Sequence, residues 1–190
     1  MDSILQLDSQ VFHLVNSVYT SPVLDAAMPY VTEKFNFLGA IIVAAILIVT
    51  LGKRQDRVGL LVLVVLVFAS DFVCAELKHL VERVRPCNSM DVRLLVGCGG
   101  SYSFPSGHAT NIFAAMVFLT IRYRRFAPLF LFIATAVAYS RVYVGVHYPL
   151  DVIGGAALGT IMAFIFTLGE KRVTGFLAKR RGRVSVDEEL

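Results

Sequence analysis

Long apolar runs separated by short polar stretches dominate this chain. Two of the runs, residues 35–52 and 152–169, extend over 18 positions without a charged residue. About 20 mostly apolar residues, with a range of about 17–25, carry a helix across the hydrocarbon core of a bilayer. Every span is helical because lipid offers the backbone no hydrogen-bonding partners. We predict an all-α, polytopic transmembrane helical bundle with about five spans, at 35–52, 58–81, 104–121, 126–144 and 150–169.

The N-terminal residues 1–34 follow a different pattern. In SILQLDSQVFHLVNSVYT, apolar residues recur at near-helical spacing with polar residues between them. This pattern predicts an amphipathic helix that lies in the membrane interface. A sixth span is the alternative, which Asp8 and His13 make less favourable. We therefore expect an interfacial segment at 1–34, a transmembrane domain at 35–170 and a basic tail at 171–190.

Composition supports a membrane location, because 56% of the 190 residues are apolar and only 17% are charged, which is atypical of a soluble domain. Twelve of the 18 Lys and Arg residues lie in 52–57, 122–125 and 171–183, which a five-span arrangement places on one side. Cytoplasmic loops are enriched in Lys and Arg. We expect that side, together with the C-terminus, to be cytoplasmic and the loop 86–103 to face outward.

The outward loop contains two of the three cysteines, Cys87 and Cys98, with ten residues between them. In an oxidising compartment the two thiols can form a disulfide; the alternative is two free thiols. Cys74 lies inside a predicted span, where a cysteine behaves as a small buried apolar residue.

Three polar clusters lie at outward helix ends, and the first is KHLVERVRP. Lys78 and Arg85 are seven residues apart, so both side chains lie on one helix face. The second cluster is SFPSGH, where Ser106, Gly107 and His108 precede a long apolar run. A helix N-terminus suits a bound anion. The alternatives are two cations that reach toward the interface and a helix cap followed by an interfacial histidine.

The third cluster is SRVYVGVHYPLD, which contains Arg141, His147 and Asp151. A carboxylate four residues after His147 can accept a hydrogen bond from the imidazole, which makes the other ring nitrogen a better nucleophile or base. Stabilisation of a helix N-terminus is the alternative role for Asp151. Together the clusters supply three cations for a phosphate and two histidines for phosphoryl transfer. No spacing of ligands indicates a metal, so we expect none.

These three segments resemble the motif of the type 2 phosphatidic acid phosphatase family, which reads K-x6-R-P, P-S-G-H and S-R-x5-H-x3-D. Every defining position is filled, in order, between residues 78 and 151. The resemblance implies that His147 attacks phosphorus and forms a phosphohistidine, that Asp151 orients His147, and that His108 protonates the leaving oxygen. It also implies that five residues hold the phosphate oxygens: Lys78, Arg85, Ser106, Gly107 and Arg141.

The resemblance further implies a metal-independent membrane lipid phosphatase that needs no cofactor. The short chain, few loops and outward site are similar to bacterial undecaprenyl diphosphate phosphatases, and a small outer loop favours a simple diphosphate headgroup. We expect hydrolysis of undecaprenyl diphosphate to undecaprenyl phosphate at the outer face of the bacterial inner membrane. The alternative substrates are phosphatidylglycerol phosphate, phosphatidic acid and lipid A 1-phosphate.

Two interpretations without catalysis stay open: a transporter and a lipid-phosphate binder on the same scaffold. Charges within spans often mark a transport path, but here the polar groups gather at one membrane face. A binder is not expected to keep both His147 and Asp151. We expect a lipid phosphate and the surrounding membrane lipids as partners, and neither a nucleic acid nor an obligate protein partner.

Overall fold

The computed structural model describes the backbone of residues 2–187 and the side chains of 3–33 and 35–175. The end of the predicted tail, 188–190, lies outside the described residues. Within residues 2–187, eight α-helices follow one another and there is no strand. They are α1 (Asp2–His13), α2 (Pro22–Thr32), α3 (Leu38–Leu51), α4 (Arg54–Val81), α5 (Pro86–Ser89), α6 (Gly107–Arg122), α7 (Ala127–Tyr143) and α8 (Pro149–Asp187). The predicted all-α fold is confirmed.

Short irregular helices complete the path of the chain. A π-helical turn at Leu14–Val18 follows α1, and 3-10 turns at Lys34–Phe37 and Arg124–Phe126 precede α3 and α7. α8 begins with Pro149, whose missing N–H and preset φ suit the first helical position. α8 also continues to Asp187, so the described part of the predicted tail extends the last span as a helix.

Three helical stretches are long and apolar enough to cross a membrane: Arg54–Ser89, Arg124–Tyr143 and Pro149–Gly175. The pair Pro22–Thr32 and Phe35–Leu51, bent by 75°, gives a fourth if it counts as one span. The third predicted span, 104–121, is a shorter helix because residues 104–106 form an irregular loop and α6 begins at Gly107 with 16 residues. The structure thus supports three to four spans by length and composition.

Helix α6 lies at the centre of the bundle, packed against α4, α7 and α8. Toward the middle of the helices, Leu66, Phe118 and Ala163 are buried together. Nearer the end that carries the motifs, Phe12 and Tyr148 are buried in a second cluster. Because the second cluster includes Phe12, the N-terminal helix helps to enclose that end of the bundle.

Glycines allow α6 and α8 to approach each other closely. A Cβ atom at Gly155 would lie 2.5 Å from the carbonyl oxygen of Ser106, and one at Gly159 would overlap the carbonyl oxygen of Thr110. Real Cβ contacts are not that short, so only glycine fits at these positions. The close approach brings the N-termini of α6 and α8 together at the motif end of the bundle.

The N-terminal segment has an apolar outer side and a polar inner contact. Ile4, Leu7 and Val11 of α1 are exposed, which suits the predicted interfacial helix, whereas Asp8 is buried against the bundle. α1 packs against α8 and α2 against α7. The domain boundary predicted at residue 34 stays a prediction. Helices α1 and α2, which precede it, contact α8 and α7, which follow it.

Candidate active site

His147 lies in the tight turn between α7 and α8, and only 2% of its surface is exposed. Gly145 shapes this turn with a φ of 88°, a conformation that glycine adopts without strain. A Cβ there would also lie 2.9 Å from the carbonyl oxygen of Arg93. The turn therefore presses against the loop 86–103 and holds the imidazole inside the protein.

Ser103 connects His147 to Asp151. The Nδ1 atom of His147 lies 3.3 Å from Ser103 Oγ, and that hydroxyl donates to Asp151 Oδ2 at 2.5 Å. The direct distance from Nδ1 to Asp151 Oδ2 is 3.6 Å, which is too long for a hydrogen bond. The sequence suggested a direct bond; the structure places Ser103 between the two residues. Ser103 was missed because it lies outside the three motif patterns.

The environment of His147 keeps the imidazole neutral. Burial lowers the pKa of His147 to about 4, Arg85 and Arg141 lower it too, and the contacts with Asp151 act in the opposite direction. With the Nδ1 proton directed at Ser103, the Nε2 atom carries the free lone pair. A neutral imidazole with a free ring nitrogen is a competent nucleophile.

Three cations surround this turn and contact neighbouring oxygen atoms. Lys78 Nζ donates to the carbonyl oxygen of Tyr102 at 2.5 Å. Arg85 Nε donates to the carbonyl oxygen of Ser101 at 2.7 Å. Arg85 Nη1 also reaches the carbonyl oxygen of Val146 at 3.5 Å, beside His147. The spacing predicted that Lys78 and Arg85 share one helix face; this is wrong, because α4 ends at Val81 and Arg85 lies beyond it. Both side chains are held instead by backbone oxygens of the loop 86–103.

Arg141 approaches from α7 and contacts the N-terminal segment. Its Nη1 atom donates to Thr32 Oγ1 at 2.5 Å, and both residues are buried. Its Nε atom is buried without a partner among the described residues. Thr32 was not identified from the sequence, since it ends a helix outside the motifs. An unsatisfied guanidinium nitrogen near His147 is suited to a phosphate oxygen.

The N-terminus of α6 completes the site. Ser106 is its N-cap residue, and its N–H donates to the carbonyl oxygen of Asp151 at 2.9 Å. The Ser106 hydroxyl is buried and makes no hydrogen bond within the described part of the chain. Gly107 and His108 begin the helix, both half-buried. The partial positive charge of a helix N-terminus, together with the unpaired Ser106 hydroxyl, suits a bound anion.

Arg83 and Asp8 join the site from outside the predicted set. Arg83 Nη1 bonds Asp151 Oδ1 at 2.7 Å, and Arg83 Nη2 bonds Asp8 Oδ2 at 2.5 Å. The guanidinium also lies over the ring of Tyr148, 4.2 Å from its centroid. One signal in the sequence pointed to Asp8: it occupies the same helix face as Phe12, one turn away. A carboxylate on an apolar face requires a buried partner.

The loop 86–103 is closed by a disulfide between Cys87 and Cys98, whose Cα atoms are 6.0 Å apart. The bond links the start of α5 to the stretch that carries Ser101 and Tyr102, the partners of Arg85 and Lys78. Cys74 is buried inside α4, as its position in an apolar run predicted. The disulfide thus shapes the loop beside the cations.

The donor set of the site is cationic rather than metal-binding. Within the described side chains, no three His, Cys, Asp or Glu residues are grouped to hold a metal ion. The positive charge next to His147 comes from Arg85 and Arg141. Guanidinium groups bind phosphate through directed hydrogen bonds, so the site is chemically suited to a phosphate ester or anhydride.

Comparison with known proteins agrees with this chemistry. Residues 59–174 match the family model described as the PAP2 superfamily. A lipid A 4'-phosphatase of Bacteroides thetaiotaomicron is 31% identical over 183 residues, which cover 90% of this chain and 80% of the relative. The phosphatidylglycerophosphatase B of Bacillus subtilis is 37% identical over 177 residues, or 83% of this chain and 81% of the relative.

Two further proteins extend the comparison. The undecaprenyl-diphosphatase BcrC of Bacillus subtilis is 28% identical over 162 residues, or 84% of this chain and 82% of the relative. The crystal structure of Aquifex aeolicus LpxE matches with a TM-score of 0.71 and 26% identity, covering 85% of this chain and 94% of that chain. All three motif segments lie inside the matched region, so the chain belongs to the PAP2 superfamily of membrane lipid phosphatases.

Proposed function

We propose that this protein hydrolyses undecaprenyl diphosphate to undecaprenyl phosphate through a phosphohistidine on His147. One observation carries the proposal of covalent catalysis. The Nδ1 side of the buried imidazole is occupied by Ser103 and backed by Asp151, so Nε2 is the nitrogen available for attack. The positive charges of Arg85 and Arg141 act on the His147 imidazole, beside which a phosphoryl group would be held.

In the first step, Nε2 of His147 attacks the terminal phosphorus. An N–P bond forms, the bridging P–O bond breaks, and its electron pair stays on the oxygen of the leaving lipid phosphate. His108, at the start of α6, gives that oxygen a proton. Lys78, Arg85 and Arg141, with the hydroxyl of Ser106 and the N–H of Gly107, stabilise the charge on the equatorial oxygens.

In the second step, water attacks the phosphohistidine. His108 accepts a proton from the water, the N–P bond breaks, and inorganic phosphate leaves with His147 neutral again. Ser103 holds the Nδ1 proton throughout, so the imidazole keeps one orientation in both steps. The cations of this chain neutralise the phosphate oxygens without a metal ion, which makes metal independence part of the proposal.

The choice of substrate rests on headgroup size. Most of this chain matches relatives that are named for three different substrates: lipid A, phosphatidylglycerol phosphate and undecaprenyl diphosphate. The outer loop is short, is closed by the Cys87–Cys98 disulfide, and is tied down by Arg85 and Lys78. Such a loop offers little protein to recognise a sugar, which favours a simple diphosphate.

We also propose that the site faces the periplasm of a bacterial inner membrane and that the C-terminus is cytoplasmic. The supporting observation is the bias of Lys and Arg toward 52–57, 122–125 and 171–183, at the bundle end opposite the motifs. The lipid chain would stay in the outer leaflet, with the scissile phosphate at the mouth formed by α6 and α8.

The test is phosphate release by the purified protein in detergent with EDTA. Undecaprenyl diphosphate, phosphatidylglycerol phosphate, phosphatidic acid and lipid A are assayed in parallel. The His147→Ala variant is compared with His13→Ala, whose side chain is exposed on α1. We expect chelator-resistant release, fastest from undecaprenyl diphosphate, that is lost in His147→Ala and retained in His13→Ala.

Three other results would change the proposed substrate or mechanism. A faster rate with another of the four lipids would replace the substrate and leave the phosphohistidine mechanism in place. Loss of activity with EDTA would overturn metal independence. A folded protein that releases phosphate from none of the lipids would favour the binding or transport alternatives.

A further inference from the structure

Asp8 is a buried carboxylate in a helix that lies outside the matched region, 59–174. Its side chain is fully buried, although it belongs to an N-terminal segment whose neighbours Leu7 and Val11 are exposed. Burying a carboxylate is costly unless it is paired and hydrogen-bonded. The residues that pair with Asp8 therefore indicate which part of the bundle the N-terminal segment supports.

Each oxygen of Asp8 has a partner next to the catalytic turn. Oδ2 bonds Arg83 Nη2 at 2.5 Å, and Oδ1 accepts the N–H of Leu150 at 2.8 Å. Leu150 immediately precedes Asp151 in the first turn of α8. Arg83 reaches Asp151 Oδ1 with its other terminal nitrogen at 2.7 Å. Asp8 thus fixes Asp151 through the side chain of Arg83 and through the backbone of the adjacent residue.

The orientation of Asp151 depends on this arrangement. Its Oδ1 atom is held by Arg83, which leaves Oδ2 to accept from Ser103 Oγ at 2.5 Å and from the N–H of Tyr148 at 2.8 Å. Arg83 is itself held over the Tyr148 ring and accepts the N–H of Ser103 with its carbonyl oxygen at 2.7 Å. Because each terminal nitrogen of Arg83 is bonded to a carboxylate, its guanidinium cannot rotate away from Asp151.

Asp8 also changes the charge behind the nucleophile. Asp8, Arg83 and Asp151 are two carboxylates and one guanidinium, a buried cluster with a formal charge of −1. Positive charge grows on the imidazole as Nε2 bonds phosphorus, and a buried negative charge stabilises it strongly at low dielectric. Without Asp8 the cluster would be neutral, and Arg83 would neutralise Asp151 fully.

We propose that Asp8 is a positioning residue that acts on His147 through Arg83, Asp151 and Ser103, so that the N-terminal helix is part of the catalytic apparatus. The inference rests on the proposed function, in which His147 is the nucleophile. Asp8 touches no reacting atom. It orients Asp151 and supplies the negative charge that accompanies phosphohistidine formation.

The test compares Asp8→Asn with Asp25→Asn in the full-length protein. Asp25 is a second N-terminal carboxylate that pairs with an arginine, Arg93, at 2.6 Å, but it does not contact Asp151. The Asp8→Asn change keeps the size of the side chain and an acceptor for Leu150, and removes the charge that holds Arg83. We expect kcat to fall about 10- to 100-fold with little change in KM for Asp8→Asn, and both constants to stay near wild type for Asp25→Asn.

A second measurement reports on His147 without requiring turnover. Nitrogen NMR of histidine-labelled protein distinguishes the two neutral tautomers of the imidazole. We expect a single tautomer with the proton on Nδ1 in the wild-type protein and in Asp25→Asn, and a mixture of tautomers in Asp8→Asn. Thermal unfolding of each variant shows whether it is folded.

The outcomes separate this inference from the proposed function. If wild-type protein releases no phosphate from any tested lipid, the proposed function fails, and the tautomer comparison still decides the role of Asp8. If wild-type protein is active, an unchanged kcat in folded Asp8→Asn overturns the inference. A lower kcat with an unchanged tautomer, or an equal loss in Asp25→Asn, also overturns it, because the effect would then be structural.

Discussion

Ser103 lies at the centre of the hydrogen-bonded chain behind His147. Its hydroxyl is 3.3 Å from His147 Nδ1 and donates to Asp151 Oδ2 at 2.5 Å, and it is fully buried. In this arrangement the carboxylate orients the imidazole through an intermediate hydroxyl. Under the proposed mechanism, a change at Ser103 should therefore affect the chemical step while leaving Lys78, Arg85 and Arg141 in place.

We expect Ser103→Ala to lower kcat about tenfold, equivalent to about 1.4 kcal/mol, the net value of a buried hydrogen bond. KM should change little, since Ser103 contacts none of the cations through its side chain. Steady-state kinetics on the best lipid substrate measures both constants. Thr135→Ala, which removes an exposed hydroxyl on α7 that bonds its own helix, is the matched control. A change confined to KM would contradict the role given to Ser103.

The lowered pKa of His147 also predicts how stability depends on pH. In the folded protein the imidazole stays neutral down to about 4, whereas in the unfolded chain it binds a proton below about 6.5. The unfolded state therefore binds more protons between these two values, and stability decreases as the pH falls from about 6.5 to 4. Above that window the neutral imidazole has no such effect.

His147→Gln removes this titration and keeps a polar side chain. We expect the wild-type protein to lose thermal stability relative to His147→Gln as the pH is lowered from 7 to 5. Thermal unfolding midpoints at several pH values measure the difference between the two proteins. A difference that stays constant over this range would show that His147 titrates alike in the folded and unfolded states.

Residues that follow one another at short spacing were predictable, and their distant partners were not. Lys78 with Arg85, and His147 with Asp151, are recognisable because the two residues of each pair are seven and four positions apart within one short segment. Ser103 lies 44 residues from His147, and Arg83 lies 75 residues from Asp8. Only the folded bundle brings these groups together, so the hydrophobic pattern and the motif spacing do not show which residues they contact.

Among the helices, α6 and α8 form the contact that sets the site. Their glycines let Ser106 at the start of α6 donate its N–H to the carbonyl oxygen of Asp151 at the start of α8. The sequence predicted both helices but placed the start of α6 at 104 instead of 107. Proline and glycine in SFPSGH indicate a break without specifying on which side of it the helix begins.

We expect Gly159→Ala to destabilise the protein by about 1–3 kcal/mol and to reduce activity, because the added methyl group forces α6 and α8 apart. Gly169→Ala is the matched control on the same helix, since a Cβ there meets no atom within 4 Å. Alanine favours helix more than glycine does, so Gly169→Ala should be neutral or stabilising. Thermal unfolding and phosphate release measure the two effects. Equal stability of the two variants would contradict the close packing.

At the scale of the whole molecule, polar chemistry is concentrated at one end of the bundle and apolar surface along its sides. Phe68 on α4 and Phe132 on α7 are among the large exposed side chains, as expected of helices that face lipid. The sequence pattern predicted the membrane class, but not that α6 would be short and central. Length and hydropathy of a segment do not report which helices surround it.

The proposed orientation predicts which loops are reachable from outside the cell. We expect a membrane-impermeant maleimide to label Asp91→Cys on intact cells, and Arg125→Cys only after permeabilisation. Both positions are exposed, the first in the outer loop and the second between α6 and α7. Each variant is built on Cys74→Ala, with the Cys87–Cys98 disulfide kept intact. The reverse labelling pattern would invert the membrane topology.

The bonds of Asp8 have a consequence for how the chain is made. Asp8 leaves the ribosome well before its partner Leu150, which follows 142 positions later. Contacts between such distant parts of a chain form late in folding. The bond between Asp8 and Leu150 can therefore form only after α8 has been synthesised. Assembly of the polar network around Asp151 is thereby coupled to the synthesis of α8.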